Sequence, residues 1–209
     1  YAMHFNEITN KWNAVSPISS DKIVAHGMFG HAIDIEGNRA LIGSRDGNIA
    51  IDYIFDETAL DWVENHTFTP LKLQSEGRFG YSVALLENKA FIGYPGYNQK
   101  GEVHVYSFDE NTWKNQQIIT SDLAEEKSYF GSSVDAKGNR LAIGSFNGEN
   151  VNLFKLESGT YTTFQTLDPQ NFPGSKFGRS LFLDEKRLIV GATYGQLAYL
   201  YSETDDQNW

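Results

Sequence analysis

Five histidines (His4, His26, His31, His66 and His104) and 27 aspartates and glutamates are the side chains here that could act as acids, bases or metal ligands. No H-E-x-x-H arrangement sets two imidazoles and a carboxylate around zinc on one helix face. The nucleophile elbow G-x-S-x-G is also absent, since Gly144-Ser145-Phe146-Asn147-Gly148 carries its serine one position early. Neither a phosphate loop nor a dinucleotide fingerprint occurs. Cysteine is missing, which removes disulfides, thiol nucleophiles, Cys-ligated zinc and iron–sulfur clusters together. Two carboxylates paired in space could still hydrolyse a glycosidic bond, but no spacing singles out such a pair. No catalytic residue, metal ligand or cofactor is therefore assigned. The net charge of −10 opposes binding to phosphate backbones and excludes general nucleic-acid recognition. No run of 18 apolar residues occurs, so no inserted membrane helix is expected.

The elements that would position any site are set by a repeat. Phe-Gly occurs at Phe29-Gly30, Phe79-Gly80, Phe130-Gly131 and Phe177-Gly178. An aliphatic-Gly pair follows each at a fixed distance, as Ile42-Gly43, Ile92-Gly93, Ile143-Gly144 and Val190-Gly191. A fixed distance inside a variable period marks a rigid unit joined by variable loops. Each unit reads as a hairpin, with strands near 30–36 and 39–44, 80–86 and 89–94, 131–137 and 140–145, and 178–184 and 187–192. Gly, Asn and Asp in the connections tolerate the positive φ of tight turns. A basic residue opens every second strand (Arg39, Lys89, Arg140, Arg187), and the apolar run after it predicts burial on both faces. On period-two alternation, Gly30 and Ala32 share one face for close blade approach, while Phe29 and Ile33 share the other and fill a wedge.

Aromatics recur behind each hairpin at Tyr53, Tyr106, Phe154 and Tyr201, then at Trp62, Trp113, Tyr161 and Trp209. Four short strands (a to d) in about fifty residues, repeated, predict an all-β propeller of antiparallel four-stranded blades. The blades are expected at 28–70, 78–121, 129–169 and, incomplete, 176–209, with a partial blade at 1–20. The third strand type is expected five times and the first only four times. That count reads as part of a seven- or eight-bladed ring completed by further blades of a longer chain. A four-bladed ring with a leftover strand, or a ring completed by a second chain, are the alternatives.

The four Phe-Gly to aliphatic-Gly units resemble FG-GAP repeats, which build the propeller of integrin α-subunits and of many secreted surface proteins. The resemblance spans nearly the whole chain and implies an extracellular or cell-surface recognition or adhesion module. Many FG-GAP proteins carry a calcium loop of the form D-x-D-x-D-G-x-x-D. No copy exists here; Asp46-Gly47-Asn48 with Asp52 offers too few carboxylates at the wrong spacing. Calcium is not carried over. Asn65-His66-Thr67 matches the N-glycosylation triplet in an outer strand.

Specificity must then come from loops. The turns joining strands a and b are short and uniform, whereas the loops joining b and c differ between copies. Those loops supply the candidate ligand-binding residues Arg45, Asp46, Tyr94, Tyr97, Asn98, Phe146, Asn147, Glu149 and Tyr194. Aromatic rings stack on sugar faces while amides and carboxylates bond hydroxyls, so a glycan or protein ligand is expected, and a neutral one in preference to a polyanion. Two other readings stay open: a glycan-cleaving hydrolase or lyase using clustered carboxylates, and a scaffold for other domains.

Overall fold

The computed structural model describes residues 3–6, 9–14, 17–74, 76–169, 172–204 and 209. It is almost entirely β-structure, arranged as propeller blades. A two-stranded sheet pairs β1 (Met3–Asn6) with β2 (Lys11–Ala14). The first full blade runs β3 (Phe29–Glu36), β4 (Arg39–Ser44), β5 (Ile49–Asp56) and β6 (Asp61–Phe68). The second runs β7 (Val83–Leu86), β8 (Lys89–Tyr94), β9 (Glu102–Asp109) and β10 (Thr112–Ile119). The third comprises β11 (Phe130–Lys137), β12 (Arg140–Ser145), β13 (Asn150–Glu157) and β14 (Thr160–Leu167). The fourth shows three strands, β15 (Phe177–Leu183), β16 (Arg187–Ala192) and β17 (Leu197–Ser202). All pairings are antiparallel and follow chain order. One single-turn 3₁₀ helix, Tyr97–Gln99, interrupts the β8–β9 loop.

The core lies in the wedges between blades. Leu41, Phe68, Phe79, Ile92 and Tyr94 fill the first wedge, Phe91, Val103, Phe130, Leu141 and Ile143 the second, and Ala142, Leu153, Phe177 and Leu188 the third. Neighbouring residues of β8 and β12 thus enter opposite wedges, which is why these strands are apolar at consecutive positions. β16 departs from this: Leu188 and Val190 are buried, but Ile189 is 42% exposed.

The first glycine of each unit has a second task beyond the close approach that alternation predicts. In each of the first three blades the residue after Phe-Gly donates its N–H to the carbonyl of the residue before it, as His31 to Met28, Tyr81 to Arg78 and Ser132 to Tyr129, each at 3.1 Å. The glycine between has φ of +82° at Gly30 and Gly80, +86° at Gly131 and +81° at Gly178. A bonded four-residue turn with positive φ at its third position is a type II turn, and glycine is the residue that takes that φ without strain. The pairing register slips at this point, from Phe29↔Ser44 to Ala32↔Gly43 in the first blade. The slip is of two residues, so the alternation survives it: Phe79 and Val83 enter one wedge, Phe130 and Val134 the next and Phe177 and Leu181 the third, while Phe29 and Ile33 line one groove on the blade face that no described blade covers, where Ile33 is 72% exposed. Both glycines serve close approach: a Cβ on Gly80 would stand 2.3 Å from the Ile49 carbonyl oxygen of the preceding blade, and the second glycine meets the following blade. A Cβ on Gly43 or Gly93 would stand 2.1 Å from the carbonyl oxygen of Gly80 or Gly131 in the next blade, and on Gly144 2.3 Å from that of Gly178.

Polar groups complete the joints between blades. Ser82 donates to the Gly131 carbonyl at 2.8 Å and Ser133 to that of Gly178 at 2.7 Å. Asp34 accepts the Leu85 N–H and Asp135 the Leu183 N–H, each at 2.6 Å. The Gln117 side chain brackets the backbone of Tyr161, accepting its N–H and donating to its carbonyl, both at 2.9 Å. Gln165 does the same for Trp209. Arg39 lies 4.2 Å from the centre of the Phe108 ring and pairs with buried Asp52, whose Oδ2 also accepts from Trp113 Nε1 at 2.9 Å. The recurring basic residue of the first and third blades thus anchors the next blade's outer aromatic: Arg39 sits over Trp113, and Arg140 over Trp209. Asn65 of the glycosylation triplet donates its amide to the same Asp52 oxygen at 2.7 Å.

Candidate functional site

The b–c loops are tied to the loops that enter their own blades. The Gly27 carbonyl accepts from Asp46 and Gly47, Gly77 from Gly96, Ser128 from Asn147 and Gly148, and Ser175 from Tyr194 and Gly195. These bonds set both loop families on one face of the molecule and fix which side chains reach it.

The nine candidates sort into two groups. Tyr94 is a correction: it is fully buried, its hydroxyl accepts the Gln74 N–H and donates to the Lys72 carbonyl, and burial raises its pKa. It cannot present a ring to a ligand. Tyr97 packs on it at 5.2 Å, and Asn98 makes a two-point contact with the Gln74 side chain. Glu149 is spent on architecture, because its two oxygens accept the N–H groups of Gly174 and Lys176 at 2.6 Å. The second loop, expected to be the richest part of the patch, is thus largely occupied with its own packing. Asn48 likewise gives its side-chain oxygen to the Phe79 N–H, and Asp52 faces inward, so the Asp46–Asp52 stretch does not converge on a cation position. Among the described residues no group of three or more His, Asp or Glu is placed to hold a metal ion.

Arg45, Asp46, Phe146, Asn147 and Tyr194 remain on the face, and the structure adds residues that the loop comparison missed. The positions on either side of Phe-Gly vary between blades: Met28 and His31, Arg78 and Tyr81, Tyr129 and Ser132, Lys176 and Arg179. In the first three blades they are the first and last residues of the type II turns, and of these Tyr81 and Ser132 are buried. The Arg179 guanidinium lies 5.7 Å from the Tyr81 ring centre and 5.1 Å from that of Phe146, linking the fourth blade to the second and third. Arg45 lies 5.7 Å from the same Tyr81 ring, and His31 meets it edge-on at 4.8 Å. Tyr129 stacks on Phe146 at 5.2 Å and 6°. Lys176 stands 5.8 Å from both Phe146 and Tyr194, and Tyr194 is 76% exposed. Burial lowers the His31 pKa, and the charges of Arg45, Arg179 and Arg78 push it the same way against Asp46. A signal for these positions existed in the sequence: they are the variable neighbours of an invariant pair inside the repeat. Beside the cluster, Gln74, Glu76, Gly96, Gln99, Lys127 and Tyr129 line an open cleft of about 600 Å³.

No family model matches the sequence, and no curated protein matches it. Among solved structures the chain is similar to a protein from Bacteroides uniformis ATCC 8492 described as a candidate 6-phosphogluconolactonase, with a TM-score of 0.64 at 12% identity. The alignment covers 86% of this chain and 52% of that one, so the chain spans about half the length of its structural neighbour. At this identity the likeness establishes the propeller fold.

Proposed function

We propose that this chain is a non-catalytic recognition module whose loop face binds a glycan or protein ligand, at a cell surface or in an extracellular matrix. The observation that carries the reading is the convergence of the Tyr129, Phe146 and Tyr194 rings on one mouth, over Arg179 and the buried Tyr81 and beside a cleft edged by the Gln99 amide. Rings flanked by amides suit the alternating apolar and hydroxyl surfaces of a sugar. The repeated Phe-Gly turn and its hairpin support FG-GAP membership. The exposed apolar residues of the first blade (Ile33, Ile35) and the last (Phe182, Leu200) support completion of the ring by further blades. A glycan-cleaving enzyme is the second reading, and the name of the structural neighbour favours an enzyme. Against it, the Glu102–His104 pair at 2.6 Å is buried beneath Phe79 and Tyr94, out of reach of a substrate.

A glycan array and a pull-down with the intact chain test the proposal. Retained glycan or protein that is lost on Phe146→Ala supports it. Binding that survives Phe146→Ala but is abolished by changes in the a–b turns of the opposite face would place the site elsewhere.

A further inference from the structure

The mouth is cationic in a chain of net charge −10. Arg45, Arg78, Lys176 and Arg179 gather there, and among the described residues Arg78 and Arg179 have no carboxylate partner. Two acids among the described residues border the cluster: Glu149, whose oxygens accept the Gly174 and Lys176 N–H groups, and exposed Asp46, 3.4 Å from Arg45 Nε, a nitrogen sealed from solvent without a hydrogen bond. The Arg179 guanidinium lies against two rings from two other blades, contacts that favour one placement before anything binds. Ring contacts use the face of a guanidinium and leave its N–H edge free, and that edge matches two oxygens of a carboxylate or phosphate. Pre-ordering reduces the entropy lost on binding. Within about 8 Å the local cations outweigh the distant negative charge, which physiological salt screens.

We propose that the axial mouth, framed by Arg179, Arg45 and Arg78 around Tyr81, binds the oxyanion of an acidic ligand, and that the exposed Tyr194 ring beside Lys176 takes an attached sugar. The inference rests on the recognition reading and reverses one part of the sequence expectation, the preference for a neutral ligand. Its chemistry is a carboxylate or phosphate; the source, an acidic sugar or a free anion, is separated by the test.

The test is an NMR titration of the intact chain with glucuronate, inorganic phosphate and glucose, following the imidazole signals of His31. The charges that face His31 are Arg45, Arg78, Arg179 and Asp46. An anion seated among them offsets the arginines and raises the His31 pKa. Glucuronate and phosphate are expected to shift His31 saturably while glucose does not. Arg179→Met should weaken both anions by roughly tenfold or more, the size of one charge-assisted contact, with Arg179→Lys in between. Arg78→Met gives a second reading if Arg179→Met fails to fold. Tyr194→Ala should weaken glucuronate but not phosphate if an acidic sugar is the ligand, and neither if a free anion is. No effect of either anion on His31, or equal binding by wild type and both arginine variants, overturns the inference. Neutral glycans retained on the array without anion binding would overturn it and leave the recognition reading standing. Saturable anion binding with no glycan or protein retained would do the reverse.

Discussion

Asp135 and Tyr94 show how burial decides what a polar side chain does. Asp135 spends its carboxylate on the N–H groups of Leu183 and Ala136 at a blade joint, where burial pushes its pKa up to about 6, with Asp34 adding to the rise and Lys137 opposing it. Because the folded value lies above the unfolded 3.8, ionisation works against the fold. This contribution to stability is intact below about pH 4 and is lost as pH rises through about 6. Asp135→Asn keeps an acceptor and cannot ionise, so its stability relative to wild type should improve between about pH 4 and about pH 7 in urea unfolding. A difference that does not change with pH would refute this. Tyr94→Ala removes a fully buried ring and should cost about 3–5 kcal/mol. Phe146→Ala, at the half-buried mouth, should stay below about 1.5 kcal/mol and act on binding. Thermal melts of the two variants compare them directly.

At the scale of the element, the repeat poses the same glycine in different surroundings. Gly30 and Gly80 share φ +82°, but a Cβ on Gly30 meets nothing within 4 Å, whereas on Gly80 it would stand 2.3 Å from the Ile49 carbonyl. Gly30→Ala should therefore cost only the strain of positive φ, about 1–2 kcal/mol. Gly80→Ala adds a backbone collision and should cost clearly more. Gly93→Ala, 2.1 Å from the Gly131 carbonyl, is expected to disrupt the joint between the second and third blades. Gly191→Ala meets only the Ser180 hydroxyl, which can rotate away. Equal midpoints for Gly30→Ala and Gly80→Ala in denaturant unfolding would show that inter-blade contact does not set the second cost.

For the molecule as a whole, each blade is stabilised by its neighbours, as in other repeat architectures. Ile33 and Ile35 at one end and Phe182 and Leu200 at the other lie 60–72% exposed, while the residue equivalent to Ile33 in the third blade, Val134, is 9% exposed inside a wedge. The 209-residue chain alone should therefore associate as its concentration rises, through the same faces that would receive further blades. Ile33→Glu combined with Leu200→Glu should reduce that association in sedimentation velocity without lowering the thermal midpoint. Undiminished association of the double variant would locate the sticky surface elsewhere.

Periodicity alone determined the propeller, because Phe-Gly, the aliphatic-Gly pair and the outer aromatics are backbone and packing requirements that every blade must meet. The second hairpin strands 39–44, 89–94, 140–145 and 187–192 were legible to the residue for that reason. The type II turn was not, since a two-residue slip in register leaves the hydrophobic pattern on either side unchanged. The second b–c loop looked like a binding loop because Tyr94, Tyr97 and Asn98 are chemically suited to one, but aromatics and amides also pack and bracket. Only the tertiary structure decided that Tyr94 and Glu149 hold blades together while His31, Tyr81 and Arg179 meet at the mouth. Those three stand 50 and 98 positions apart along the chain, and the turning of successive blades about one axis is what brings them within ring-contact distance.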